Sequence, residues 1–92
     1  MQRANLENAE LRGADMSGAH LTGATLKSAR LQGADLTGTV LNAADLRNAD
    51  LTGARLRNAE LHGADLTGAV LDQVDFSGAS MRGCRGCPTK PS

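Results

Sequence analysis

The stretch "LRGADMSGAHLTGATL", residues 11–26, places Leu11, Met16, Leu21 and Leu26 five residues apart, with Ala14, Ala19 and Ala24 each two residues before the next large side chain. Five matches neither regular period. On an α-helix five residues advance the angle by about 140°, so the large residues would spiral round the whole surface. In a straight strand an odd period sends successive large residues to opposite sides. A strand that turns a corner every five residues satisfies the pattern. The alanine and the following large residue, two apart, then point to the same side, and the chain coils around an axis with both inside.

The same phase runs through nearly the whole chain. The large residues, called centres here, fall at every fifth position from 6 to 81: Leu6, Leu11, Met16, Leu21, Leu26, Leu31, Leu36, Leu41, Leu46, Leu51, Leu56, Leu61, Leu66, Leu71, Phe76 and Met81. Two residues before each centre stands Ala, except at Thr39 and Val74. Two residues after each centre, ten of the eleven glycines occur, with Asn8, Asn48, Asn58, Ser28, Ala43 and Gln73 at the other corners. Gly and Asn tolerate the positive φ that a β-turn needs. A helix would instead lose about 1 kcal/mol at each such glycine. The expectation is therefore an all-β solenoid in which each coil pairs only with its neighbours.

"ANLEN" at 4–8, "ADLTG" at 34–38, "ADLRN" at 44–48 and "ADLTG" at 64–68 resemble the pentapeptide repeat proteins, whose motif reads roughly A-(D/N)-L-x-x. The resemblance covers residues 1–83 without insertion. It implies a right-handed quadrilateral β-helix with four pentapeptides per coil, hence about four coils. Residues 84–92 are left as an irregular or disordered C-terminal tail.

Charge offers an independent test of coil length. With twenty residues per coil, the outward residues just before the centres stack as Glu10, Arg30, Asp50, Val70 and as Asp15, Asp35, Arg55, Asp75. Opposite charges then meet more often than like ones, whereas fifteen per coil would stack Asp35, Asp50 and Asp65. Like charges facing across a ladder are unfavourable, which favours twenty. In this frame Arg30 and Arg55 each sit between carboxylates, so ladder pairing explains them more simply than an anion site. Four coils at about 4.8 Å spacing make a rod about 20 Å tall.

Composition narrows the function. Phe76 is the sole aromatic residue, and ten bases balance ten acids, so no strong field draws nucleic acid or anionic lipid. No apolar run approaches membrane-spanning length, and "MQRANLENAE" lacks a signal-peptide core, so the cytoplasm is the expected compartment. His20 and His62 fall on one face but two coils apart, too far to share a metal without other ligands. "GCRGCP" at 83–88 holds a C-x-x-C spacing with no second pair. The simpler account makes Cys84 a small buried residue above Ala64, leaves Gly86 in the leucine place and exposes Cys87. A disulfide is the second account, ahead of metal or redox chemistry.

No catalytic, metal or cofactor-binding set emerges, and a non-enzymatic module binding an unknown protein partner is expected, with neither nucleic acid nor membrane as partner. Met1 is already in phase as a centre, so the N-terminal end has no cap and a homodimer through that end is expected, unless the chain is a piece of a longer rod. The resemblance raises one alternative. Some pentapeptide repeat proteins mimic duplex DNA, bind DNA gyrase and protect against quinolones. That role needs a long acidic rod. Here residues 4–83 carry ten acids against seven bases, and the four faces have net charges of −1, −1, −1 and 0.

Overall fold

Every fifth residue turns a corner. In the computed structural model, which describes residues 3–88, all sixteen residues two places after a centre have φ between 58° and 76°. The carbonyl of each centre accepts the N–H three residues on, as in Ala14 to Leu11 at 3.0 Å and Ala34 to Leu31 at 3.0 Å. Positive φ at the third residue of a hydrogen-bonded turn is the type II pattern. The alanine-to-centre segment between two corners is extended.

Twenty residues bring the chain back over itself. Thirteen parallel bridges, from Asn5↔Thr25 to Asp65↔Arg85, each join residues twenty apart. The coil length read from the charge columns therefore matches the observed register. Between coils the hydrogen bonds are directional. The N–H of Leu31 donates to the Asp50 carbonyl at 2.8 Å, the Gly33 N–H to Thr52 at 2.9 Å, and the return bond runs from Asp50 N–H to the Ala29 carbonyl at 3.0 Å. Residues 4–23, 24–43, 44–63 and 64–83 form coils one to four. The principal extents are 28 × 24 × 22 Å, so four coils make a block nearly as wide as it is tall rather than a rod.

The core is a stack of leucines edged by alanines. Leu21 to Leu66 are fully buried at every centre, and Phe76 is 3% exposed. Leu6, Leu11, Met16, Leu71 and Met81, in the end coils, are half-buried and pack against that cluster. Thr39 is fully buried in the alanine column, and its hydroxyl donates to the Met16 carbonyl at 2.9 Å.

Two expectations need correction. The ladder does not stop at residue 83: Arg85 makes one more rung, its N–H donating to Ala64 at 2.9 Å and its carbonyl accepting from Leu66 at 2.6 Å. The cysteines are not independent: Cys84 and Cys87 form a disulfide, with Cα atoms 5.7 Å apart. Cys87 is half-buried against the core rather than exposed. Gly86, at φ 77°, turns the chain back so that Cys87 reaches Cys84. Met1 and residues 89–92 lie outside the described residues.

Candidate functional site

The surface consists of four ladder faces and two ends. Its recurring polar device sits just before seven of the sixteen centres. There an Asp or Asn side chain folds back over the corner and accepts the backbone N–H two residues on. Asp35 Oδ1 takes the Thr37 N–H at 3.1 Å and the Thr37 hydroxyl at 2.6 Å. The same pair of bonds joins Asp15 to Ser17, Asp50 to Thr52, Asp65 to Thr67 and Asp75 to Ser77. Asn5 accepts the Glu7 N–H in the same way at 3.1 Å. This is an Asx turn closed by a hydroxyl, and it satisfies a donor that the corner leaves free.

These bonds hold the aspartates ionised. Hydrogen bonds from the Thr37 hydroxyl and then its N–H lower the Asp35 carboxyl below its ordinary range. Asp15, Asp50 and Asp65 are lowered by the same two groups of Ser17, Thr52 and Thr67. Asp75 is held down to about 2, first by the Ser77 hydroxyl, then by the Ser77 N–H, then by the Arg57 guanidinium. Asp45 is lowered chiefly by its side-chain bond to Arg47, which closes on it at 2.8 Å.

The charge ladder is less direct than its columns suggest. Arg30 reaches Glu10 at 3.4 Å, but its other neighbour Asp50 is taken by Thr52 and by Gln32 Nε2 at 2.8 Å. Arg55 makes no ion pair within 4 Å among the described residues, although Asp35 and Asp75 are its bridge partners. Arg57 takes Asp75 instead, at 2.8 Å. The reason is geometric. Once an aspartate folds over its own corner, one oxygen faces the residue two places on, and an arginine at that row is better placed than one at the aspartate's own row. Sequence reasoning missed this, although the D-x-(S/T) spacing at 15–17, 35–37, 50–52, 65–67 and 75–77 carries it.

The structure does not bring the candidate site residues together. His20 bridges Val40, and the His62 N–H donates to Asn42 Oδ1 at 3.0 Å. Among the described residues no three His, Cys, Asp or Glu side chains gather as a metal-holding group, and the surface has no pocket. No helix among them is long and apolar enough to cross a membrane.

A family model for pentapeptide repeats matches residues 1–38, 34–73 and 44–83. The chain belongs to the pentapeptide repeat family. Solved members carry the same fold, the right-handed quadrilateral β-helix. A pentapeptide repeat protein of the thylakoid lumen of Arabidopsis thaliana is 32% identical, with a TM-score of 0.84 over 97% of this chain and 61% of its own. HetL, a pentapeptide repeat protein involved in heterocyst differentiation regulation in Nostoc sp. strain PCC 7120, is 35% identical, with a TM-score of 0.64 over 90% of this chain. QnrB1, a plasmid-mediated fluoroquinolone resistance protein, is 26% identical, with a TM-score of 0.53 over 89% of this chain. The chain spans 39% of HetL and 52% of QnrB1, so all three proteins extend well beyond it. No curated protein sequence matches it.

Proposed function

We propose that this pentapeptide repeat protein is a non-enzymatic protein-binding or scaffold module, acting in the cytoplasm. The observation that carries the reading is the surface itself. Its four faces are flat ladders, three of them with aspartates tied to their own corners, a rigid display suited to contact over area rather than to enclosing a small molecule.

The first partner inferred is a second copy, docked head-to-head on the N-terminal coil. There Leu6, Leu11 and Met16 are half-buried, against full burial one coil further in. Among the described residues nothing pairs with the backbone N–H groups of Asn5, Glu10, Asp15 and His20. A two-fold axis through the corner between Asn5 and Glu10 would set these two residues opposite each other across the copies. It would also set Asp15 opposite His20, with no like charges facing. Light scattering tests the dimer. A concentration-dependent dimer abolished by Leu11→Glu supports it, and a monomer at high concentration removes it.

The second reading is DNA mimicry at gyrase, favoured by the likeness to QnrB1. The near-neutral faces and the short block count against it. A gyrase supercoiling assay separates the two: no change with excess protein fits the scaffold reading, and inhibition at low micromolar concentration favours the mimic.

A further inference from the structure

Among the described residues, the Leu66 face alone carries a rung beyond the fourth coil, Asp65↔Arg85. Leu66 is 1% exposed and Phe76 3%, whereas Leu71 and Met81 of the same coil are half-buried. What covers Leu66 is the loop of residues 84–87. Gly86 lies so close over it that a Cβ there would fall 2.7 Å from the Leu66 carbonyl carbon and 2.8 Å from the Thr67 nitrogen. Cys87 packs against the core beside it.

The Cys84–Cys87 disulfide closes this loop on itself and tethers residues 86–87 to Cys84, whose N–H donates to the Met81 carbonyl at 3.1 Å. Arg85 contributes two backbone hydrogen bonds, to Ala64 and from Leu66, while its side chain is exposed. Gly86 has no side chain to bury, and Pro88 has no N–H to donate. Segments with few buried apolar contacts open first. Closing the ring between residues 84 and 87 removes most of the open conformations that such a segment would otherwise visit.

We propose that the Cys84–Cys87 disulfide is a redox-operated latch over the C-terminal end of the leucine core. A dithiol reductant opens it by exchange. One thiolate of the reductant attacks one cysteine sulfur and forms a mixed disulfide, and the other cysteine leaves as thiolate and takes up a proton. The second thiol of the reductant then displaces the remaining cysteine and departs as a disulfide. Two electrons and two protons reach the protein. The loop is then free to lift, and Leu66 joins Leu71 and Met81 at an open apolar end. In a reducing compartment a protein disulfide is characteristically transient, which suits a switch better than a staple.

Amide hydrogen exchange on the full chain, oxidised and then reduced with dithiothreitol, tests this. Reduction is expected to raise exchange at the Leu66 and Arg85 amides roughly tenfold. Leu46, one coil further in on the same face, should be unchanged, and reoxidation should restore protection. The double variant Cys84→Ser, Cys87→Ser should match the reduced protein and ignore the reductant. Equal protection at Leu66 in both redox states would overturn the latch. So would a rise spread evenly to Leu46, or two titratable thiols in the protein after oxidation.

Discussion

Thr39 stands in a column that the fold fills almost everywhere with alanine, and its hydroxyl donates to the carbonyl of Met16, one coil away, at 2.9 Å. That carbonyl already accepts the Ala19 N–H at 3.1 Å, so the hydroxyl is an added bond rather than a rescue. Replacing it should therefore cost little. Thr39→Val is expected to destabilise the protein by about 1 kcal/mol in urea denaturation, the net worth of one ordinary hydrogen bond. A loss above about 3 kcal/mol would mean that the hydroxyl satisfies a group nothing else reaches.

Leu56 is 1% exposed between Leu36 and Phe76 in its column. Leu56→Ala leaves a cavity and is expected to cost about 2–5 kcal/mol. Thr37→Ala removes only the part-buried side-chain bond to Asp35 and should cost about 1 kcal/mol. Paired denaturation curves decide this, and equal losses would contradict the inside–outside phase.

Corner residues should respond in opposite directions. Ala43 holds φ 62°, a conformation that costs an L-residue about 1–2 kcal/mol, so Ala43→Gly should raise stability. The gain is expected near 0.5–1 kcal/mol after the extra freedom glycine has when unfolded. Gly33→Ala meets no atom within 4 Å and should cost only the φ penalty. Gly68→Ala adds a collision with the Asn48 side-chain oxygen and should cost more, as calorimetric melting temperatures would register.

Acid should weaken the fold through its turn-closing aspartates. The Asp75 pKa lies near 2 in the folded chain against an ordinary 3.8, so the folded state binds fewer protons than the unfolded one. Stability from this group is full above about pH 4 and falls as pH drops toward 2. Asp15, Asp35, Asp45, Asp50 and Asp65 shift in the same direction. Melting temperature should therefore be flat from neutral pH to about 5 as far as these groups are concerned, and drop below about 4. Carboxyl NMR titration of Ser77→Ala should show the Asp75 pKa moving up, because the Ser77 hydroxyl is its largest support.

The repeat was legible because it fixes two things at once. A large residue every five positions sets which side is inside, and Gly or Asn two places later sets the corner. The register followed from the outward charges: Glu10, Arg30 and Asp50 do stand on consecutive rungs. Which charged atoms touch was not legible. Arg55 lost its expected partners to Thr37, Ser77 and Arg57, because an aspartate bonds its own corner before it reaches across a rung. The disulfide was harder still. Pairing of Cys84 with Cys87 depends on Gly86 turning the chain back, and Gly86 falls in a leucine place where the repeat no longer predicts conformation.

The bridge spacing has a consequence for how such a chain can change length. Every residue rests on those twenty places away, and each face has its own cast: the buried Thr39 under one, the Asp–Arg rows on another. Gain or loss of twenty residues would add or remove a storey and leave every remaining column above its old neighbours. Gain or loss of five would keep the leucines inside, yet swing everything downstream by a quarter turn, setting Asp75 over a different row and Phe76 over a different leucine. Both changes preserve the motif in the sequence. Only the first preserves the surface, so related chains that share a surface should differ in length by whole storeys.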